Sequence, residues 1–367
     1  MKILLTGGGT MGSVSPLLAI VEELKKQNEI EFLWLGTQKG PEKKVIENYK
    51  IPFKAIFSGK LRRYFSWQNF IDLFFIKIGL WQSFFILLKF KPDVILSAGS
   101  FVGVPVIFAG WLLHIPCLIH QLDIRLTLAN KLTSLFAKKI TITFKKSIKD
   151  FSRKKTIWTG NPIRQELKIL DDQLKIEEAK EFFSLEENLP IILVIGGGTG
   201  ALELNKIIIQ VIPQLTKFCQ IIHLTGGRMA SPQDDISKRE KNNLVIKKRY
   251  HSYEFLIKEM KYAYVIADLV ISRAGIGTLT ELCYFKKPTI LIPMPQTHQE
   301  ENAIFFKSNQ AVIFLDQNEL IKNKNLIVEE IKQILQDKKE MDSLRENISK
   351  LNKQNAENEI VKIIKSI

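Results

Sequence analysis

The chain has 367 residues, too many for one ordinary core, and this length predicts two domains of roughly 150–200 residues each. With 46% hydrophobic and 25% charged residues it has the composition of a folded soluble chain, which excludes a disordered or fibrous protein. The formal net charge of +15 points to an anionic partner, nucleic acid or an acidic membrane surface, and is unevenly placed: residues 1–160 hold 24 Lys and Arg against 10 Asp and Glu, the remainder 29 against 28.

Ile3–Leu5 runs directly into Thr6-Gly7-Gly8-Gly9-Thr10-Met11-Gly12. The apolar run is too short for a signal peptide, so the chain is expected to stay in the cytoplasm. A buried strand, a glycine-rich turn and a helix with Pro16 in its first turn are predicted here. Apolar runs at 30–35, 93–97, 116–119 and 139–143 then alternate with helical segments. The opening pattern recurs about 190 residues on, where Ile191–Ile195 leads into Gly196-Gly197-Gly198-Thr199-Gly200. Runs at 219–224, 243–246, 268–272, 288–292 and 311–315 follow.

Short apolar runs separated by helices predict an α/β chain of two Rossmann-like domains, each a doubly wound parallel sheet, facing each other across a cleft. The boundary is placed after Thr159-Gly160-Asn161-Pro162, giving domains 1–162 and 163–340. The polar stretch from Gln165 to Glu187 connects to the second glycine loop. Residues 341–367, with Leu344, Ile348, Leu351, Ile360 and Ile364 at helical spacing, are expected to form a terminal helix.

The segment 61–90 carries Tyr64, Phe65, Trp67, Phe70, Phe74, Phe75, Trp81, Phe84, Phe85 and Phe90, with Arg62, Arg63, Lys77 and Lys89 among them. One helix cannot bury that many rings on one face. Ile71–Leu88 is about long enough to span a bilayer, but Asp72, Lys77, Gln82 and Ser83 interrupt it. A helix lying in the interface, with aromatics in lipid and lysines at the headgroups, fits better; the alternative is an aromatic core helix covering the sheet. Cys117, Cys219 and Cys283 lie far apart in apolar runs, as buried thiols rather than disulfides or metal ligands.

A glycine turn between strand and helix brings phosphate oxygens to backbone N–H groups at the positive end of a helix dipole, although a tight turn alone would also need glycines. Neither loop is a full GxGxxG or a P-loop. In Ser272-Arg273-Ala274-Gly275-Ile276-Gly277-Thr278-Leu279-Thr280-Glu281, a strand ending at Ser272 and a helix opening near Gly277 would aim N–H groups and the Thr278 hydroxyl at a diphosphate. Glu281 would accept from two vicinal ribose hydroxyls, unless it is merely a solvated helix residue. His298-Gln299-Glu300-Glu301-Asn302-Ala303 offers donors for a sugar or is a surface loop. His120-Gln121-Leu122-Asp123 follows a strand, and Arg164 lies just past the Gly-Asn-Pro turn.

In this order, GGGTMGSVSP at 7–16, KPDVILSAGSFVGVP at 91–105, HQLD at 120–123, TGNPIR at 159–164, GGGTGALELN at 196–205, SRAGIGTLTE at 272–281 and HQEENA at 298–303 resemble the MurG family. These are peripheral membrane N-acetylglucosaminyltransferases of peptidoglycan synthesis, inverting enzymes of the two-Rossmann GT-B fold. The resemblance runs nearly end to end. It implies UDP-GlcNAc as donor, the undecaprenyl-diphosphate-linked MurNAc pentapeptide (lipid I) as acceptor, and no metal or other cofactor; no DxD pair is evident. It further implies a peripheral place on the cytoplasmic face of an anionic membrane, other cell-wall synthesis proteins as partners, and no nucleic acid.

By the same resemblance, uracil meets the backbone at Ile257, ahead of Met260. The diphosphate lies along Ile276, Gly277 and Thr278, with Gly198 beside it and Leu279 and Thr280 continuing the segment. Glu281 holds the ribose, Gln299 the sugar, and Arg164 the nucleotide side of the hinge. Thr10, Met11 and Gly12 face the acceptor diphosphate. The aromatic segment falls where the family has its membrane patch.

Two departures stand out. The family's first loop usually reads GGTGGH, where this chain has Met11 for a glycine and Ser13 for the histidine proposed as base or acceptor contact. The family's HEQN is HQLD here, so Asp123 replaces an asparagine that contacts the donor and is itself expected to bind substrate. Ser13 and Asp123 are the two catalytic candidates; serine is a poor base at neutral pH, and a carboxylate is competent. Competing readings are a UDP-GlcNAc 2-epimerase, another glycolipid glycosyltransferase, a catalytically impaired nucleotide-sugar binder, and a nucleic-acid-binding protein.

Overall fold

The protein is described by a computed structural model, covering residues 1–26, 29–59, 67–168, 174–197, 201–226 and 244–367. Two units are present: Met1–Gln165 with Lys353–Ile367, and Glu166–Asn352.

The first unit is built on a seven-stranded parallel sheet of β1 (Lys2–Thr6), β2 (Glu31–Gly36), β3 (Phe53–Ala55), β4 (Val94–Ser97), β5 (Cys117–Gln121), β6 (Lys139–Ile142) and β7 (Thr156–Trp158). Its order is β3-β2-β1-β4-β5-β6-β7. Both faces are covered by helices, so Ile3–Leu5 of β1 and Val94–Leu96 of β4 are unbroken buried apolar runs rather than alternating ones. Leu4, Leu35, Ile95, Val106, Ile119 and Ile142 belong to one buried cluster on one side.

The second unit repeats the plan with β8 (Ile191–Ile195), β9 (Gln220–Leu224), β10 (Tyr250–Tyr253), β11 (Leu269–Ser272), β12 (Thr289–Leu291) and β13 (Ile313–Phe314). The order is β10-β9-β8-β11-β12-β13, again parallel. In each sheet the order reverses beside the first strand, between β1 and β4 and between β8 and β11. The crevice beyond the carboxyl ends at such a reversal is where open α/β sheets bind ligands.

The expected helix after the first loop runs Ser15–Lys25 with Pro16 in its first turn. Three details differ from the sequence reading. Edge strands β3 and β7 escape it because each has only three residues and partial burial. The apolar run 243–246 falls not on a strand but at the start of the helix Leu244–Arg249; the neighbouring strand begins at Tyr250, whose buried hydroxyl meets the His223 ring at 3.0 Å. Three successive apolar residues, Leu244 to Ile246, cannot by themselves distinguish helix from strand.

The tail is two helices rather than one. Lys338–Ser349 packs Met341 and Leu344 into the second unit's core, while Ala356–Lys365 lies against the helix Ser15–Lys25 of the first. The polar stretch between them ends in the left-handed Asn355 (φ 60°), which breaks the helical repeat.

All three cysteines are buried and free. Burial pushes the thiols of Cys117 and Cys219 up to about 12 and raises that of Cys283 as well.

Of the aromatic segment, Leu61 to Ser66 lie outside the described residues. The remainder forms the helix Gln68–Phe90, which packs one side against the core cluster and leaves the other exposed. On its inner side Gly79 is so close to the Phe57 carbonyl that no side chain would fit, Gln82 Oε1 accepts from Phe57 N at 2.8 Å, Ser83 is fully buried, and Leu87 joins the core cluster with Leu80, Phe84, Ile86 and Phe90 packed against it. Five rings are exposed, those of Trp67, Phe70, Phe74, Trp81 (62%) and Phe85 (63%), while Phe75, Phe84 and Phe90 are half-buried. Among the described residues, Phe70–Phe90 is the one helix long and apolar enough to cross a membrane.

Candidate functional site

In the first unit the loops after β1, β4 and β5 meet at the carboxyl edge of the sheet. Gly9 turns the first loop with φ +80°, a conformation that disfavours any side chain. Trp34 Nε1 donates to the Gly7 carbonyl at 2.9 Å, and Ser100 Oγ to the Gly8 carbonyl at 2.9 Å. The fully buried Glu42 carboxylate accepts from Gly9 N at 3.1 Å and from Thr37 N at 2.7 Å. The Gly9 N–H is therefore engaged within the protein. Beyond it Thr10 and Gly12 are exposed and Met11 half-buried, as a surface for an anionic group would require. Ser13 is buried, and its hydroxyl lies 3.4 Å from the Thr10 carbonyl.

His120 is buried, with Nδ1 2.9 Å from Thr141 Oγ1 and Nε2 3.2 Å from Asn161 Oδ1. Burial pushes its pKa down to about 4, partly offset by the Asn161 contact, so it is a neutral brace at pH 7 rather than a proton-transfer group. Its neighbour Gln121 shapes the following loop. Gln121 Nε2 donates to the Asp123 and Arg125 carbonyls at 2.8 and 2.9 Å, while Gln121 Oε1 accepts from Asn130 Nδ2 at 2.8 Å. Asp123 is half-buried at this edge. Arg164 is also half-buried and is the penultimate residue of the unit's main segment.

In the second unit, Gly197 turns the loop after β8 with φ +88°. Gly198, assigned to the diphosphate, lies outside the described residues. After β11, Gly275 caps the helix Ile276–Tyr284 and offers no side-chain acceptor. The first-turn N–H groups at Ile276, Gly277 and Thr278 thus have no acceptor within the helix, and a side-chain carbon added at Gly275 or Gly277 would meet open space. Such a turn accommodates a diphosphate.

Leu279 and Thr280 turn their side chains inward. Leu279 is fully buried, and the buried Thr280 hydroxyl donates to the Ile276 carbonyl of its own helix. At positions three and four past the helix start, side chains turn toward the core. Glu281 is half-buried, not merely solvated, and accepts from the Tyr264 hydroxyl at 2.7 Å. Ile257 is 62% exposed in the loop before Met260. Gln299 Oε1 accepts from Met294 N at 3.1 Å, which sets the side chain against the loop after β12.

Two residues quoted without a role in the sequence turn out to join these loops. Arg273 is buried and donates through Nη1 to the Ile292 and Pro293 carbonyls and through Nη2 to Gln317 Oε1, at 2.8, 3.1 and 2.6 Å. Asn302 Nδ2 donates to the Ala274 carbonyl at 3.1 Å. They tie the loop after β11 to the loop after β12. The only sequence signal was their place inside quoted motifs, since an arginine beside a glycine turn reads first as a ligand contact.

Residues 3–142 match the glycosyltransferase family 28 N-terminal domain, and residues 191–364 match the family 28 C-terminal domain. The chain belongs to glycosyltransferase family 28.

Family 28 relatives similar to it across nearly all of both chains include two named UDP-N-acetylglucosamine–N-acetylmuramyl-(pentapeptide) pyrophosphoryl-undecaprenol N-acetylglucosamine transferase. The one from Lachnospira eligens is 35% identical, covering 99% of this chain and 98% of its own; that from Legionella pneumophila is 36% identical, covering 99% and 96%. MurG of Acinetobacter baumannii shares the fold, with a TM-score of 0.75 at 22% identity over 100% of this chain and 99% of the other. A UDP-GlcNAc 2-epimerase from Neisseria meningitidis shares it as well, with a TM-score of 0.69 at 17% identity over 100% of both. The expected GT-B class of two Rossmann-like domains holds for this family 28 member.

Proposed function

We propose that this chain transfers N-acetylglucosamine from UDP-GlcNAc to the C4 hydroxyl of undecaprenyl-diphosphate-MurNAc-pentapeptide, inverting the anomeric centre and giving the disaccharide-linked lipid. The observation that carries this reading is the likeness, over 99% of the chain, to transferases named for that donor and acceptor. The second unit supports the donor half: an uncapped helix start for the diphosphate and, one turn on, a carboxylate for the ribose.

In this reading the first-turn N–H groups at Ile276, Gly277 and Thr278 stabilise the leaving diphosphate, a role that fixed dipoles perform without reorganisation. Gly198 and Arg164 assist on the nucleotide side, Ile257 meets the uracil and Gln299 the sugar. Thr10, Met11 and Gly12 take the acceptor diphosphate. The attacking hydroxyl must lose a proton, and Asp123 accepts it. Ser13 is buried against Thr10, and His120 is held neutral by burial, which favours the carboxylate. The reaction runs without a metal ion.

The first unit docks on the cytoplasmic face of an anionic membrane through the helix Gln68–Phe90. That helix leaves Phe70, Phe74, Trp81 and Phe85 exposed on its outer face, with Lys77 and Lys89 exposed among them, as an interfacial helix would. The charge excess of residues 1–160 lies in the same unit.

The test is incubation of the full chain with labelled UDP-GlcNAc and purified lipid I, with other lipid-linked acceptors, or with none, each with and without EDTA. Transfer to lipid I alone, undiminished by EDTA, is expected. Turnover of UDP-GlcNAc without acceptor would replace this reading with the epimerase one.

A further inference from the structure

Tyr264 lies on the helix Met260–Ile266 and is completely buried. Its ring stacks on Phe285 with centroids 4.9 Å apart and planes 19° from parallel, and its hydroxyl donates to Glu281 Oε2 at 2.7 Å. Phe285 directly follows the helix that carries Glu281, so the ring's position and the carboxylate's position are set by the same short stretch of chain. A buried tyrosine hydroxyl needs a partner, and here the partner is a residue of the nucleotide site.

We infer that Tyr264 is a positioning residue for ribose recognition: its phenol fixes the rotation of the Glu281 carboxylate so that the carboxylate can accept from two vicinal hydroxyls together. This rests on the reading of Glu281 as the ribose partner. A free glutamate side chain has several rotors, and ordering it upon binding costs conformational entropy. A carboxylate already anchored through one oxygen has lost that freedom in advance. It still has acceptor capacity, because two oxygens offer about four lone-pair sites. The phenol makes no contact with the ligand in this scheme; it raises selectivity for a nucleotide with both ribose hydroxyls over a deoxynucleotide.

The experiment compares binding of UDP and 2′-deoxy-UDP by the wild type, Tyr264→Phe and Glu281→Ala, with thermal unfolding of each as a control. The wild type is expected to prefer UDP by about tenfold or more, the usual worth of a hydrogen bond to a charged group. Tyr264→Phe keeps the ring and its stacking on Phe285. It should lower that preference by about fivefold, raise KM for UDP-GlcNAc with kcat nearly unchanged, and leave 2′-deoxy-UDP binding as in the wild type. A Tyr264→Phe protein that weakens both ligands equally, or neither, overturns the inference while leaving the ribose reading intact.

Glu281→Ala should abolish the preference. If it does not, the ribose reading falls and the inference with it. Should Tyr264→Phe not fold, Glu281→Asp serves instead, since a side chain one methylene shorter loses the phenol. A retained UDP preference in Glu281→Asp would likewise overturn the inference.

Discussion

The side-chain amide of Gln121 donates to the carbonyl oxygen of Asp123 at 2.8 Å, so the loop that presents the candidate base is wrapped around the last residue of β5. The same amide group also reaches the Arg125 carbonyl at 2.9 Å. Only an amide can serve both carbonyls and still accept from Asn130. Gln121→Glu would set a carboxylate against two carbonyl oxygens, and leaving buried acceptors unmatched costs about 1–3 kcal/mol. The expected result is a lower unfolding midpoint for the first unit and at least a tenfold loss of kcat, read by thermal unfolding and by transfer to lipid I.

Asp123 itself is tested by Asp123→Asn, which keeps the size and removes the basicity. Loss of a general base typically costs about 10²–10⁴-fold in rate. The variant should bind UDP as the wild type does and lose single-turnover transfer by that order. Full single-turnover activity would remove Asp123 from the mechanism.

The two buried histidines give the protein a defined acid sensitivity. Burial holds His120 at about 4 and His223 at about 3, below the ordinary 6.5. Above pH 6.5 both are neutral folded and unfolded, and stability is independent of them. Below it the unfolded chain takes up protons that the folded chain refuses, so each unit loses about 1.4 kcal/mol per pH unit until the folded value is reached. At pH 5 this amounts to about 2 kcal/mol for each unit. Chemical unfolding at pH 7 and pH 5 should show it, and His223→Gln should flatten the slope for the second unit alone.

Membrane docking is tested at the exposed rings. Trp81→Ser with Phe85→Ser removes two outward side chains without touching Gly79, Gln82 or Ser83. Sedimentation with anionic vesicles should fall about tenfold or more, given roughly 1.5–3 kcal/mol per large apolar side chain withdrawn from water. UDP binding should not change. Wild-type binding should weaken with salt over the range that shortens the Debye length. Binding indifferent to salt and to anionic lipid would reduce the +15 to a solubility feature.

The sequence by itself determined the repeated strand–glycine turn–helix plan, the parallel sheets and the family, because these rest on local periodicity and on glycines at positions such as Gly9 and Gly197 where the backbone takes a positive φ. It also separated the basic first half from the neutral second. It did not resolve Leu244–Arg249 from a strand, since three apolar residues suit either state until β9 offers Tyr250 a partner in His223. Nor did it divide the tail between two units, because the spacing of Leu344, Ile348, Ile360 and Ile364 is helical on both sides of Asn355.

Only the tertiary structure decided which polar groups act inward. Residues distant in sequence meet at the carboxyl edges of the sheets: Glu42 at Gly9, Gln121 at Asn130, Arg273 at Gln317, Asn302 at Ala274, Tyr264 at Glu281. It likewise decided which rings of Gln68–Phe90 pack inward, Phe84 and Phe90 among them, and which stay exposed, Phe70, Phe74, Trp81 and Phe85. A hydrogen bond needs its partner within about 3 Å, and only the folded chain sets that distance for groups so far apart along it.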